Sequence, residues 1–214
     1  MKTIFVSIVF ALLIPTAVYA DDDNFHVGGR DDRHYGVSGD RHTSDVEDWY
    51  AYWSIGVSNN HYPGSLDAVL NTLESTPGVN RTQLALDMLG FYWPVNNQTI
   101  LGFVISGSAD RFEDSYGDYL QLNHYLYGLS SMHFFGKTIG DGFYVRGDVG
   151  IAKINMDSNF GSATSDNGNG FLLGIGYGWP ISNESRILVG LTTSSYSVES
   201  ETYTTTSLTV GGLW

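Results

Sequence analysis

The chain has 214 residues, no cysteine, and 10 Lys+Arg against 23 Asp+Glu, a formal charge of −13. That balance argues against a nucleic-acid partner, whose phosphates call for clustered Lys and Arg, and the missing thiols exclude a disulfide framework. Only 15% of residues are charged, while 26 are glycine and 14% are aromatic, a composition that folds.

Residues 1–20 carry one cation, Lys2, then an apolar run from Ile4 to Leu13, Pro15, and the small-residue ending Ala17-Val18-Tyr19-Ala20. This predicts a secretory signal peptide cut after Ala20, because the apolar stretch is short for a helical span. Its removal leaves 9 basic and 23 acidic residues. Residues 21–48 hold nine acids, three bases and few large apolar side chains, which predicts a disordered acidic leader. Within it His26, His34 and His42 recur every eight residues, each followed six positions later by Asp32, Asp40 or Asp48. Imidazole and carboxylate are ligands for zinc or nickel, so these His are the weak metal candidates; a solvated leader with a duplicated octad is the plainer reading. No motif calls for a cofactor.

From Trp49 onward the sequence resolves into eight segments of period two, the strand signature. In the fifth, Phe143, Val145, Gly147, Val149 and Ile151 share one face and Tyr144, Arg146, Asp148, Gly150 and Ala152 the other. The first sets Trp49, Ala51, Trp53, Ile55 and Val57 against Tyr50, Tyr52, Ser54, Gly56 and Ser58. The sixth (171–179), seventh (187–192) and last (207–214) divide likewise. The second to fourth, at about 82–93, 99–109 and 119–135, are less clean, and the fourth has apolar residues on both phases.

No segment after the signal is long and apolar enough for a transmembrane helix. An even number of strands with apolar outer and polar or glycine-rich inner faces is what a closed transmembrane barrel requires, since lipid leaves an open edge unpaired. The fold class expected is therefore all-β: an eight-stranded antiparallel transmembrane up-and-down barrel over residues 49–214. Connections alternate short (94–97, 136–142, 181–184) and generally longer (61–81, 110–118, 157–169, 197–203), as periplasmic turns and outer loops do. On that orientation Trp49, Trp53, Trp93, Trp179 and Trp214 all fall at the periplasmic rim, an aromatic girdle. In the first outer loop Leu66, Val69, Leu70 and Leu73 follow helical spacing, with Ser65 as cap and Pro77-Gly78 as stop, which predicts a short amphipathic helix lying over the barrel mouth or meeting a partner.

These features, with the final strand Leu208-Thr209-Val210-Gly211-Gly212-Leu213-Trp214, resemble the small OmpA/OmpX-like outer-membrane barrel proteins of Gram-negative bacteria. The resemblance spans residues 49–214; the 28-residue leader and long first loop depart from the smallest members. It implies a cell outer-membrane location with both termini periplasmic and a monomeric barrel among outer-membrane lipids and lipopolysaccharide. It also implies a terminal strand read by the barrel-assembly machinery through Leu208, Val210 and Trp214.

Eight strands enclose a lumen that side chains fill, so an open pore is not expected. Asp87, Arg146 and Asp148, charges within spanning strands, should point inward as a paired lumen network. Of the acids after Trp49, ten fall in the outer connections: Asp67, Glu74, Asp110, Glu113, Asp114, Asp118, Asp157, Asp166, Glu199 and Glu201. They make the outer surface acidic and attractive to a basic surface ligand. His124, Ser130, Ser131 and His133 on the fourth strand show no spacing that joins His, Ser and a carboxylate, so no catalytic residue is assigned. The function expected is structural or cell-surface interaction; a lipid A-modifying enzyme and a narrow carrier of small hydrophobic molecules are the alternatives.

Overall fold

The structure is a computed structural model that describes residues 47–182 and 184–214. The signal segment and the leader octads with His26, His34 and His42 lie outside the described residues. The described chain runs β1 (Tyr50–His61), α1 (Gly64–Glu74), β2 (Asn80–Asn96), β3 (Thr99–Glu113), β4 (Tyr119–Phe134) and β5 (Gly142–Ser158). It continues as β6 (Gly161–Thr164), β7 (Gly168–Pro180), β8 (Arg186–Val198) and β9 (Glu201–Leu213).

The eight long strands pair antiparallel in the order β4-β3-β2-β1-β9-β8-β7-β5, and β4 also pairs with β5, so the sheet closes on itself. Closure between the first and last strands is by backbone: the Ala51 N–H donates to the Trp214 carbonyl at 2.6 Å and the Trp214 N–H to that of Ala51 at 3.1 Å. The short β6 folds back on the end of β5, from Asn155↔Thr164 to Ser158↔Gly161.

Alternation along each strand sorts side chains between the two faces. On β5 Tyr144, Arg146, Asp148 and Ala152 are buried inside, while Val149, 60% exposed, and Phe143, Val145 and Ile151 face outward. Such an apolar exterior on a closed cylinder has no aqueous rationale and suits hydrocarbon. The second strand lacked a clean phase because it contains a β-bulge. The register runs Tyr52↔Gly90 and then Ser54↔Asp87, so Met88 and Leu89 together oppose Trp53. Past the extra residue the inward positions change parity, from Ala85 and Asp87 to Gly90 and Tyr92. The third and fourth strands obscured their faces for another reason: the lumen is itself apolar at both ends. Ile100, Val104 and Phe112 on β3 and Leu122, Leu126, Met132 and Phe134 on β4 all point inward and are buried.

Three expectations about connections need correction. Strands of 12–17 residues exceed the ~9–11 that cross a bilayer. Pairing therefore continues beyond the hydrocarbon and shortens the loops. The connection placed at 197–203 is a two-residue turn, Glu199-Ser200, both with positive φ, 51° and 68°. Asp110, assigned to an outer loop, is an inward residue of β3 and 0% exposed. Finally, α1 starts one residue before the proposed Ser65 cap: Pro63 is its N-cap position and no side chain caps it.

Candidate functional site

The lumen is organised in layers along the barrel axis. At the end with the short turns, Tyr50, Tyr92, Ile100, Phe134, Tyr144, Leu188 and Leu213 form an apolar plug. Ile139, from the turn between β4 and β5, is also buried in it, held by the Arg186 Nε–H donating to its carbonyl at 2.9 Å. Tyr144 gains its place from glycine: a Cβ on Gly176 or Gly190 would lie 2.5 Å from the Tyr144 ring or hydroxyl.

Above the plug, the three inward charges expected from the sequence meet in one cluster. Arg146 sits two residues before Asp148 on the same face of β5. It donates from Nη2 to Asp148 Oδ2 at 2.6 Å and from Nη1 to Asp87 Oδ2, across the lumen on β2, at 2.7 Å. Ser54, paired with Asp87 in register, donates to Asp87 Oδ2 at 2.6 Å. Ser130, paired with Asp148, donates to Asp148 Oδ1 at 2.5 Å and accepts from the Tyr92 hydroxyl at 2.8 Å. Every partner needed to hold these charges away from water is present, which makes the cluster a cross-brace between opposite walls.

A second polar layer follows. The Ser108 hydroxyl donates to Asn60 Oδ1 at 2.9 Å, and Thr205 donates to the same oxygen at 2.7 Å. His124 Nδ1 lies 3.1 Å from Ser108 Oγ. With the Ser108 proton on Asn60, the imidazole is the donor in that contact. The His124 ring is stacked on Tyr196 and ringed by Tyr62 and Tyr203. This His–Ser contact crosses from β4 to β3, so no spacing along one strand could reveal it. Ser108 is committed to Asn60 and both side chains are buried, which describes a packed structural pair and leaves a substrate no approach. Of the other fourth-strand candidates, Ser130 serves Asp148, while His133 contacts Thr99 Oγ1 at 2.9 Å and turns with Ser131 to the outer face.

The end with the longer loops is closed by α1. Leu70, 1% exposed, packs with Tyr62, Phe112 and Leu122, while Leu66 and Leu73 are partly buried against them. Val69, assigned to the apolar stripe, is exposed. A polar clasp fixes this lid. The Tyr62 hydroxyl donates to Asp110 Oδ2 at 2.8 Å, and Arg81 donates from Nε to Asp110 Oδ1 at 2.9 Å and from Nη1 to Glu74 Oε2, on the helix, at 2.8 Å. Burial and the neighbouring Asp110 push the Tyr62 hydroxyl well above its usual range, so it remains a neutral donor. Replacing Leu70 with Asp should release α1: protease cleavage between residues 62 and 80 should quicken at least tenfold, while the barrel keeps its heat-modifiable electrophoretic mobility. Unchanged cleavage would show that the helix is not held by its apolar face.

Outside the barrel, Trp49, Trp53, Trp93, Trp179 and Trp214 all sit at the short-turn end on the outward phase. They are knitted to other rings: Trp49 stacks on Phe91 at 5.1 Å, Trp93 meets Phe91 at 4.8 Å, and Trp53 meets Trp214 at 6.3 Å. Leu208 and Val210 face outward on β9. At the opposite end, the tips of two loops carry Tyr116, 92% exposed, and Phe160, 90% exposed. These loops are tied by the Tyr119 N–H donating to Asn159 Oδ1 at 2.9 Å.

The closed eight-stranded antiparallel cylinder matches solved structures. The Neisserial surface protein A shares 10% identity, with 78% of this chain and 97% of that chain covered and a TM-score of 0.52. This chain has the fold of the small outer-membrane β-barrels. Two further matches are the attachment invasion locus protein Ail of Yersinia pestis, solved with the heparin analogue sucrose octasulfate, and the N-terminal β-barrel domain of Pseudomonas aeruginosa OprF. The first has 13% identity, coverage of 78% and 100%, and a TM-score of 0.47; the second has 14%, 79% and 99%, and 0.40. No family model matches the barrel's sequence, and no curated protein matches it. At such identities the likeness is one of fold.

Proposed function

We propose that the protein is a non-conducting outer-membrane barrel that acts through its outer loops, by holding a cationic surface ligand. The observation that carries this reading is the contrast between the two ends of the molecule's chemistry. Inside, plug, charge cluster and lid occupy the lumen, and the cavity between them is about 20 Å³, too small for a small organic molecule or a hydrated ion in transit. Outside, Tyr116 and Phe160 stand free in water among Glu113, Asp114, Asp118 and Asp157. Exposed aromatic rings flanked by one sign of charge supply contact area together with attraction for the opposite sign. Arg111, the basic residue nearest in sequence, is engaged by Glu113 at 2.9 Å.

The rest of the reading follows from orientation. Residues 1–20 direct export, and residues 21–48 form a periplasmic leader. Both termini are periplasmic, with the tryptophan girdle at the inner interface and the final strand, through Leu208, Val210 and Trp214, presented to the barrel-assembly machinery. The barrel is monomeric and contacts lipids and lipopolysaccharide through its sides.

Cells displaying the protein should bind a fluorescent oligolysine, and binding should weaken with salt. The Tyr116→Ser/Phe160→Ser double variant should lose at least fivefold in affinity at equal surface expression. Equal binding by the double variant overturns the role of these rings, and steady ion conductance by the purified barrel in planar bilayers overturns the sealed lumen.

A further inference from the structure

Between the Arg146 cluster and the Ser108 layer lies the cavity of about 20 Å³. Asp87, Ser106 and Ser108 line it from one wall and Ser194, Thr205 and Ser207 from the other. Ser106, 2% exposed, projects into it from β3, and its hydroxyl oxygen has no hydrogen-bond partner among the described residues. The inward neighbours of Ser106 are well placed: Asp87, its partner in register, is held by Ser54 and Arg146, and Ser108, two residues on, is held to Asn60. The unpartnered group is thus confined to the cavity wall.

We infer that this cavity is a binding site for one structural water molecule, which joins the two polar layers into a single network spanning the lumen. Three properties support this. The volume exceeds the roughly 10–15 Å³ that one water needs. Eight of the thirteen lining residues carry a hydroxyl, able to donate once and accept twice, so a central water finds the two to four partners that hold it. A buried hydroxyl with no partner is costly, and Ser106 has no protein group to turn to. An apolar cavity of this size would stay dry; a hydroxyl-lined one does not. The water bridges the wall formed by β2 and β3 to that formed by β8 and β9, where the Arg146 brace does not reach.

The test uses the purified barrel in detergent micelles or nanodiscs. Cross-relaxation between water and the backbone amides of Asp87, Ser106 and Ser207 should reveal a water resident for longer than nanoseconds. In Ser106→Val, whose methyls fill the space, those cross-peaks should fall at least fivefold while the amide spectrum stays that of the folded barrel. Should that variant not fold, Ser194→Val, which adds a methyl at another buried lining position, takes its place with the same expectation. A wild-type barrel with no such cross-peaks overturns the inference. So do cross-peaks that persist undiminished in the folded filled variant, or a crystal structure in which a metal ion occupies the cavity.

Discussion

Replacing Arg146 with methionine should lower the unfolding free energy of the barrel by about 3–5 kcal/mol, the largest effect expected of any single charge in the protein. The cause is what the substitution leaves behind. Asp148 is 1% exposed and Asp87 6%, and Arg146 reaches both, so without the guanidinium two carboxylates remain in the lumen with only hydroxyl partners. The loss reflects that stranding more than the worth of the ion pairs themselves. Adding Asp87→Asn and Asp148→Asn to the methionine variant should therefore recover more than half of it. Equilibrium urea unfolding in detergent, followed by tryptophan fluorescence, measures both. A methionine variant within about 0.5 kcal/mol of the parent would show that the cluster does not brace the walls.

Truncating Tyr144 to alanine should cost about 3–5 kcal/mol, the range for emptying a large aromatic site in a packed core. Strands β7 and β8 present Gly176 and Gly190 under this ring, and neither neighbour has a side chain with which to fill the void. The same geometry predicts a sign reversal. Gly190→Val should destabilise the parent, because a Cβ there meets the Tyr144 hydroxyl at 2.5 Å, yet partly restore the alanine variant by occupying its cavity. Additive effects in the double-mutant cycle would show that ring and glycine do not share this space.

Much of the barrel could be read from the residues because a strand of period two states its own orientation. On β5 the apolar phase from Phe143 to Ile151 can only be the outer face, and Arg146 and Asp148 then must turn inward. The tryptophans at strand ends located one rim by the same logic. The rule failed where alternation was interrupted or duplicated. On β2 one extra residue, Met88, exchanged the faces midway. On β4 Met132 and Phe134 are apolar inside while Leu129 is apolar outside, because a plugged lumen is as oily as lipid. The helix was legible as a helix, but its use as a lid depended on Tyr62, Phe112 and Leu122, which come from three other places in the chain.

The candidate site divides along the same boundary. That Asp87, Arg146 and Asp148 belong inside follows from the cost of charge in hydrocarbon, which acts on each residue wherever its partners are. Which groups they touch is a matter of register and closure, properties of pairs of strands. Only the folded cylinder brings Asp87 across to Arg146, turns Asp110 from an outer loop into a buried clasp for Arg81, and places His124 beside Ser108. The residues by themselves thus determined strand number, the facing of the cleanly alternating strands and the inward turn of the charges, because burial is decided one side chain at a time. Tertiary structure alone decided the layers, the lid and the cavity, because each depends on the distance between atoms that the chain order leaves far apart.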